Sequence, residues 1–375
     1  MSRLMGFIHD RVKAAGHEVD YLCADDGPPD WASWFGRRIA FPLAVRLKAI
    51  QAFESGRPYD IVNVHESSAA PTVLGRRGAH AAAVVVTSHG LERRAWELAK
   101  EEGRLGREAP GWRTRITYPP SGLWPGEWAL RRADHVFCLN EDDRGELVTG
   151  LGRSPNSVTR ILPAADEVYA RAAETRDYSR ATRVLFAGTW RKNKGIEDLV
   201  PAFNTLAARH PDMTLHVVGA GVPPDVVRTQ FPEAVRACVE CDTPLDDTRM
   251  AAAFADADLF LLPSLFEGTP LTLMQAMMSG LPIVTTATCG MKDVIVDQRT
   301  GLLVPIRSSE SLVSAVDRFV ADRALRAELG RAARAEAIHR YTWDRVAEPV
   351  LRAYETLASR STSAACDRLH ATQTP

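Results

Sequence analysis

The sequence lacks the features that mark membrane-spanning, secreted or nucleic-acid-binding proteins. No apolar run reaches the ~18 residues that a membrane-spanning helix needs, and the first residues do not show the charged-then-apolar order of a signal peptide. The 46 Lys and Arg residues almost balance the 47 Asp and Glu residues, so the net charge is −1 and no general basic field attracts nucleic acid. We therefore expect a cytoplasmic protein with no nucleic-acid partner.

Cysteine is also scarce: six residues are scattered through a chain of 375, which is typical of a reducing compartment rather than of a disulfide scaffold. Cys238 and Cys241 form one C-x-x-C pair, but no second pair accompanies it, as a zinc site would require. The sequence Asp256-Ala257-Asp258 has the spacing of a D-x-D metal clamp, but it lies between a predicted helix and a predicted strand, where Asp258 is expected to act as a cap. We therefore predict no metal site.

What the sequence does contain is a repeated alternation of short apolar runs and amphipathic helical patterns. The alternation predicts βαβ units with parallel sheets, so the fold class is α/β and ligands are expected at the carboxyl ends of strands. The predicted strands are residues 17–24, 60–66, 83–90, 135–140, 183–190, 213–221, 258–264 and 282–287. The clearest predicted helices are residues 196–210, 246–257 and 309–322.

The series of strands and helices runs twice, and the length of 375 residues also favours two domains. The predicted divisions are a Rossmann-like domain at 1–165, a second at 166–340, a helix at 341–360 that packs back toward the first domain, and a disordered tail at 361–375. The first domain opens with a predicted helix and lacks the usual first strand and glycine-rich loop. Two interpretations remain open: the coding sequence begins upstream, or this copy is shortened.

The stretch GTPLTLMQAMMSG has the boundary signals of a helix, with Pro270 at its start and Gly280 just past its end. Free N–H groups of Leu271, Thr272 and Leu273 would then form an anion site of the kind that binds phosphate. The methionines of this helix are expected in the core. That role does not account for the glutamate before the helix or for the glutamine inside it.

A longer stretch around this helix, AFADADLFLLPSLFEGTPLTLMQAMMSGLPIVTT, resembles the signature of the retaining GT-B-fold glycosyltransferases of family 4. That family carries two glutamates separated by seven residues, in a frame like PS-x-x-E-G-x-P. Further similar segments are FAGTWRKNKGIEDLVPAF, LHVVGAG, DVIVDQRTGLLVP and the closing YTW. The resemblance spans about residues 10–355 and is stronger in the second half.

The resemblance implies two Rossmann-like domains that face each other across a cleft. It also implies a metal-independent hexosyltransferase in glycan, glycolipid or polysaccharide synthesis. Such an enzyme moves a sugar from a nucleotide diphosphate sugar, such as a UDP-sugar, to a hydroxyl group of a sugar, a lipid-linked compound or a small molecule. The nucleotide diphosphate sugar is a co-substrate, and no separate cofactor is expected.

The implied donor site lies in the second half. Glu267 matches the first glutamate, which binds donor-sugar hydroxyls and steadies positive charge on the sugar ring. Gln275 stands where the second glutamate accepts the ribose hydroxyls; a neutral acceptor is weaker by ~1 kcal/mol, and the alternative is that nucleotide binding is lost or altered. Lys194 and Arg191 are assigned to the diphosphate, although an arginine usually stands where this chain has Thr189. The other implied donor-binding residues are Gly188, Gly268, Thr269, Pro270 and Leu271.

Candidate residues in the first half follow predicted strands. His89 comes at the end of VVVTSHG, where the family commonly has a histidine that touches the donor sugar and the acceptor region, so it is a catalytic candidate. His65 and Glu66 follow another strand and are candidates for acceptor contact. The acceptor itself is not predicted, because these residues do not distinguish one hydroxyl compound from another.

Residues 91–132 mix Arg and Lys with Trp96, Trp112, Trp124 and Trp128. This composition suits peripheral contact with the inner face of a membrane, or binding of a lipid-linked or sugar acceptor. The alternative is an insertion that packs on its own domain. Five glutamates dilute the positive charge of this stretch and argue against strong binding of anionic lipid: Glu92, Glu97, Glu101, Glu102 and Glu108.

Two other functions also remain open. A truncated, non-catalytic relative that binds nucleotide sugar or a partner protein is favoured by Gln275 and by the missing first strand. A sugar-nucleotide epimerase on the same fold is a weaker hypothesis, because it would not need the E-G-x-P frame.

Overall fold

A computed structural model describes residues 2–23, 39–74, 82–107, 109–171, 174, 176–242 and 246–371. The protein forms two compact units. Unit 1 comprises Met1–Ile161 and Ala347–Pro375, and unit 2 comprises Leu162–Val346. The chain thus passes from unit 1 to unit 2 close to the predicted boundary at residue 165, and it returns to unit 1 near its end.

Unit 1 is built on one parallel sheet of four strands in the order β1-β2-β3-β4. The strands are β1 (Ile61–His65), β2 (Ala83–Thr87), β3 (His135–Cys138) and β4 (Val158–Arg160). The helices are α1 (Ser2–Ala14), α2 (Phe41–Glu54), α3 (Ala69–Leu74), α4 (Glu92–Arg104), α5 (Trp112–Tyr118), α6 (Trp124–Arg132) and α7 (Glu141–Gly145). Valines of the strands, such as Val86 and Val136, pack with Ala69 of α3 and Leu130 of α6 in one apolar core.

Unit 2 is built on a parallel sheet of six strands in the order β10-β9-β8-β5-β6-β7. The strands are β5 (Arg183–Ala187), β6 (Thr214–Val218), β7 (Val239–Asp242), β8 (Leu259–Leu262), β9 (Ile283–Thr286) and β10 (Leu302–Val304). The helices are α8 (Glu167–Arg171), α9 (Ile196–Arg209), α10 (Pro224–Arg228), α11 (Glu233–Arg236), α12 (Asp247–Asp256), α13 (Leu271–Met278), α14 (Cys289–Val294), α15 (Ser309–Ala321) and α16 (Arg323–Arg340). The predicted α/β class with two parallel sheets is therefore confirmed.

The last helix, α17 (Trp343–Ala371), begins in unit 2 and continues in unit 1. In unit 2 the Trp343 indole N–H donates to Asp166 at 2.7 Å. In unit 1 the Asn63 side-chain amide donates to the Tyr354 hydroxyl at 2.6 Å. The helix runs past residue 360, so residues 361–371 are helical where a disordered tail was predicted. This stretch contains no glycine or proline to interrupt a helix; residues 372–375 lie outside the described residues.

Most predicted strands contain an observed strand. Predicted strand 17–24 is wrong for its described residues, which pair with no strand; Glu18 of this segment forms an exposed ion pair with Arg57 at 3.2 Å. The prediction missed β4, β7 and β10, which are all edge strands. β4 and β10 have only three residues, and β7 alternates buried and exposed residues, so none shows the unbroken apolar run of the buried four-residue strands β3, β8 and β9.

Within residues 2–23 and 39–60 the structure has no strand, so among the described residues the sheet of unit 1 begins with β1. No described helix combines the length and the apolar character that crossing a bilayer requires.

Candidate functional site

The strand order of unit 2 places a ligand crevice between two particular loops. From β5 the chain builds outward in one direction through β6 and β7, and from β8 it builds in the other direction through β9 and β10. In open parallel sheets, ligands bind at the carboxyl ends of strands where this direction reverses. The loops at that point follow β5 and β8, and they carry Lys194 and Glu267 respectively.

Backbone contacts hold these two loops together. The amide of Leu265 donates to the carbonyl oxygen of Asn193 at 2.8 Å. Gly195 has φ +75°, and a Cβ at this position would lie 1.9 Å from the carbonyl oxygen of Pro263. Only glycine allows this approach without moving backbone. The approach fixes Lys194, which immediately precedes Gly195, beside the loop that follows β8.

Lys194 and Glu267 form an ion pair in which the ammonium group contacts Oε1 of the carboxylate. The Ser264 hydroxyl donates to the same oxygen at 3.0 Å. The side chains of Lys194 and Glu267 are 17% and 14% exposed, so the pair is largely shielded but still reachable by a ligand. The methylene stem of Lys194 passes over Gly188, whose missing Cβ would lie 3.8 Å from Lys194 Cε.

Helix α13 begins at Leu271, with Pro270 in the preceding cap position. The Leu273 amide donates to the Pro270 carbonyl at 3.1 Å, so the prediction of three free amides is wrong for Leu273 and stays a prediction for Leu271 and Thr272. This difference arises because the first turn closes with a tighter i to i+3 bond, which is common at helix ends.

The loop between Glu267 and α13 is buried and packs closely against helix α14. Gly268, Thr269 and Pro270 are buried, and their assignment to the donor stays a prediction. A Cβ at Gly290 of α14 would lie 2.0 Å from the Gly268 carbonyl oxygen. Helix α14, which follows β9, therefore packs against the loop that carries Glu267. The loop that carries Lys194 follows β5, which is the neighbour of β8 on the other side.

Gln275 points into the interior of unit 2. It is 4% exposed, and its Nε2 donates to the Tyr169 hydroxyl at 2.8 Å. Tyr169 is itself fully buried on α8, with its ring 5.5 Å from Phe254 in an edge-on contact. One end of the amide is therefore engaged with the protein, and a contact between Gln275 and ribose stays a prediction.

Arg191 and Asp258 have different surroundings. Arg191 is exposed and has no ion-pair partner among the described residues, so its assignment to the diphosphate stays a prediction. Asp258 accepts hydrogen bonds from the amides of Thr182 and Arg183, both at 2.9 Å. Its carboxylate thus anchors the start of β5, which is a structural role but not the capping of the adjacent helix or strand that the sequence suggested.

In unit 1 the ends of β1 and β2 bring two histidines together. His65 Nδ1 and His89 Nε2 lie 2.9 Å apart, and the ring centres are 4.8 Å apart. Burial lowers the pKa of both rings, that of His89 to about 3. Both rings are therefore neutral near pH 7, and one donates its N–H to the other. The sequence indicates both histidines as candidates but does not predict their contact. The contact follows from the strand register, which places His65 beside Thr87, two residues before His89.

Glu66 and Ser88, which adjoin these histidines, form a second link between the same strand ends. The Ser88 hydroxyl donates to Glu66 Oε2 at 2.6 Å, and the Glu92 amide lies 3.4 Å from Oε1. Burial raises the pKa of Glu66 to about 8. Glu66 is only 6% exposed, so the structure places it beneath His89's loop, where it supports Ser88; contact with an acceptor stays a prediction.

Sequence models of two families together match most of the chain. The one described as Glycosyltransferase Family 4 matches residues 6–169, and the one described as Glycosyl transferases group 1 matches residues 181–322. The chain is 32% identical over 364 residues to the phosphatidyl-myo-inositol mannosyltransferase of Mycolicibacterium smegmatis, and this alignment covers 92% of the chain and 87% of the relative. The chain belongs to the glycosyltransferases of family 4.

Other similar proteins agree with membership of this glycosyltransferase family. The glycogen synthase of Mycobacterium tuberculosis is 25% identical over 345 residues, covering 92% of this chain and 80% of the relative. Sucrose-phosphate synthase from Thermosynechococcus elongatus superposes with a TM-score of 0.66 at 21% identity, covering 92% and 82% of the two chains. Anabaena Alr3699/HepE, solved in complex with UDP, gives 0.62 at 15% identity, covering 86% and 84%. The structural likenesses show the GT-B type of fold.

Proposed function

We propose that this glycosyltransferase moves a sugar from a nucleotide diphosphate sugar to a hydroxyl acceptor, with retention of the anomeric configuration and without a metal ion or other cofactor. The observation that carries the proposal is the Lys194–Glu267 pair in the crevice where the strand order of unit 2 reverses. The pair combines, within one contact, a cation for phosphate and a carboxylate for sugar hydroxyls.

The donor would exchange partners with this pair. Its diphosphate would take the Lys194 ammonium group, helped by the Leu271 and Thr272 amides at the start of α13, since helix starts favour anions. Glu267 would then be released to accept hydrogen bonds from the sugar and to stabilise positive charge on its ring. Arg191 is near in sequence and exposed, which would let it reach the outer phosphate oxygens. That the Anabaena protein binds UDP supports a nucleotide donor of this class.

In the transfer step, the bond between the anomeric carbon and the diphosphate oxygen breaks while a bond to the acceptor oxygen forms on the same face. The leaving diphosphate takes up the bond's electron pair and accepts the proton of the acceptor hydroxyl. Lys194 and the helix amides stabilise the negative charge that develops. His89, neutral at pH 7, would hold a hydroxyl by hydrogen bonding, with its ring oriented by His65.

The acceptor is a sugar, a lipid-linked compound or a small molecule with a free hydroxyl. The two curated relatives are named for different acceptors, glycogen and phosphatidyl-myo-inositol, so their names do not select one. We place the protein in the cytoplasm at the inner face of a membrane, because its scattered cysteines suit a reducing compartment and because residues 91–132 mix cationic side chains with tryptophans.

Donor binding is tested first, by thermal shift with UDP-, GDP- and ADP-sugars. A donor at a hundred times its dissociation constant should stabilise the protein by about 2.7 kcal/mol. Transfer is then followed as release of the nucleoside diphosphate, with glycogen or phosphatidylinositol as candidate acceptors, and the anomeric configuration of the product is read by NMR. An inverted product would overturn the retaining mechanism.

Lys194→Ala and Glu267→Gln should each lower turnover about 100-fold or more, because each removes a group that stabilises charge in the transition state. Lys192→Ala is the matched control: Lys192 lies on the same turn but pairs with Glu197 at 2.8 Å, so transfer should be unchanged. Full turnover by either site variant would reject the assignment. If the wild type binds a donor but transfers no sugar, the protein would instead be a non-catalytic relative. This alternative is tested because Gln275 contacts Tyr169 inside unit 2.

A further inference from the structure

Helix α5 is held by few contacts with the rest of unit 1. None of its residues is buried, and the run Trp112–Thr117 is exposed throughout. Trp112 and Ile116, one turn apart and therefore on the same side, are 69% and 66% exposed. Large apolar side chains grouped on a surface mark a contact site.

The apolar surface continues beyond α5 and carries positive charge. A π-helical turn, Pro119–Leu123, joins α5 to α6 without a break, and Trp124 at the start of α6 is 60% exposed. Residues 109–126 include Arg113 and Arg115 but no Asp or Glu. The guanidinium group of Arg113 lies 5.4 Å from the centre of the Trp112 ring. Aromatic rings and cations thus occur together on this surface.

We propose that Trp112, Ile116 and Trp124, with Arg113 and Arg115, form a docking surface for an anionic lipid bilayer. Tryptophan favours the boundary between headgroups and acyl chains, and arginine favours the negative surface potential of anionic lipids. Residues 109–126 contain no acidic side chain, and of the nearby carboxylates Glu127 is paired with Arg93 and Glu92 accepts a hydrogen bond from Tyr118. The inference rests on the proposed location at a membrane face and is independent of the transfer reaction.

Helix α2 provides the comparison surface within the same unit. Its exposed side chains Leu43, Leu47 and Phe53 are 42%, 55% and 50% exposed, and they too could contact lipid. Lys48 of α2, however, already pairs with Asp20 at 3.7 Å. The helix also packs against α3. The observations therefore favour α5, whose cations and rings face outward together.

The test measures co-sedimentation of the full chain with vesicles of phosphatidylcholine alone and of phosphatidylcholine mixed with phosphatidylglycerol. The wild type should bind the mixed vesicles, and added salt should weaken binding. Arg113→Gln with Arg115→Gln should lower the affinity about fivefold for each arginine. The triple variant Trp112→Ala, Ile116→Ala and Trp124→Ala should lower it about tenfold or more. Because these side chains are exposed, the variants should keep the wild-type circular dichroism spectrum.

Two control variants are matched to these changes. Arg171→Gln with Arg323→Gln removes two exposed arginines from unit 2, and Leu43→Ala with Leu47→Ala removes apolar side chains from α2; both should bind vesicles as the wild type does. The proposal is overturned if the wild type does not bind mixed vesicles, if the α5 variants bind normally, or if only the α2 variant loses binding. It is also overturned if light scattering shows a wild-type dimer that the triple variant breaks, because the surface would then join protein copies.

Donor binding is measured on the same preparations, so that the two proposals can fail separately. A wild type that binds a nucleotide sugar but no vesicle refutes the docking surface and leaves the proposed reaction in place. A wild type that binds vesicles but no nucleotide sugar supports the docking surface and refutes the proposed reaction. Donor affinity should be unchanged in the α5 variants, since α5 belongs to unit 1 and the donor crevice to unit 2.

Discussion

Replacing Glu66 by Gln should make unit 1 more stable at alkaline pH. The pKa of Glu66 rises from 4.5 to about 8 because the carboxyl is buried, with Glu92 and Asp143 adding a smaller repulsion. Between these two pH values the folded protein keeps a proton that the unfolded chain has lost. The stability that the protonated form contributes is therefore present below pH 4.5 and is lost as the pH rises through about 8.

The size of the effect follows from the shift. Each pKa unit corresponds to 1.36 kcal/mol, so a rise from 4.5 to about 8 amounts to at most about 5 kcal/mol. Gln has nearly the shape of a protonated glutamic acid, and its amide oxygen can accept the Ser88 hydroxyl in the same way. The variant should match the wild type near pH 5 and exceed it near pH 8 by up to about 5 kcal/mol. The neutral histidines His65 and His89 are common to both proteins, and their contributions cancel in the difference.

The assay is hydrogen–deuterium exchange of the peptide that covers β2, measured from pH 5 to pH 8, with urea unfolding as a second probe. Local exchange is preferred because a two-unit protein need not unfold in one step. Glu97→Gln is the control: Glu97 is half-exposed, and its replacement should give no pH-dependent difference. The stability difference between Glu66→Gln and the wild type should change between pH 5 and pH 8. If it is the same at both pH values, Glu66 is ionised throughout and the reasoning is wrong.

Further predictions concern the donor crevice. Gly195→Ala should cost at least 1–2 kcal/mol for the left-handed backbone alone, and the clash with Pro263 should also displace Lys194, so both the melting temperature and donor affinity should fall; a variant with wild-type donor affinity by calorimetry would contradict this. Gln275→Glu should keep or tighten donor binding, since a carboxylate can accept from the Tyr169 hydroxyl and from ribose; a large loss of affinity in the same measurement would show that the amide serves another contact.

The sequence predicted those helices and strands whose apolar pattern is long enough to be recognised. The two parallel sheets, helices α9, α12 and α15, and the strand that precedes Glu267 all follow from apolar runs of ordinary length. The edge strands β4, β7 and β10 do not, because β4 and β10 have only three residues and β7 alternates buried and exposed residues in place of an unbroken apolar run. Segment 17–23 shows the opposite error: a strand-like pattern forms no strand when no neighbouring edge pairs with it.

For the candidate site, the residue types and their positions at strand ends could be predicted from the sequence, but which of these residues contact each other could not. Lys194 and Glu267 are 73 residues apart in the chain, and only the order of β5 and β8 in the sheet brings them together. The two histidines of unit 1 meet for the same reason. The inward direction of Gln275 was also beyond pattern reasoning, because its partner Tyr169 lies on a five-residue helix, α8, that was not predicted.

The placement of the donor crevice depends more on missing side chains than on present ones. Gly195 lets the loop after β5 touch the backbone that follows β8, and Gly290 lets α14 touch the backbone after Glu267. Any Cβ at either position meets a carbonyl oxygen at 2.0 Å or less, and a carbonyl in a packed loop cannot move aside as a flexible side chain can. We therefore expect Lys194 and Glu267 to form the proposed site only when glycine stands at both positions. This requirement separates a working crevice from a chance match to the E-G-x-P frame: a chain that kept Lys194 and Glu267 but had larger residues at 195 and 290 should bind no donor.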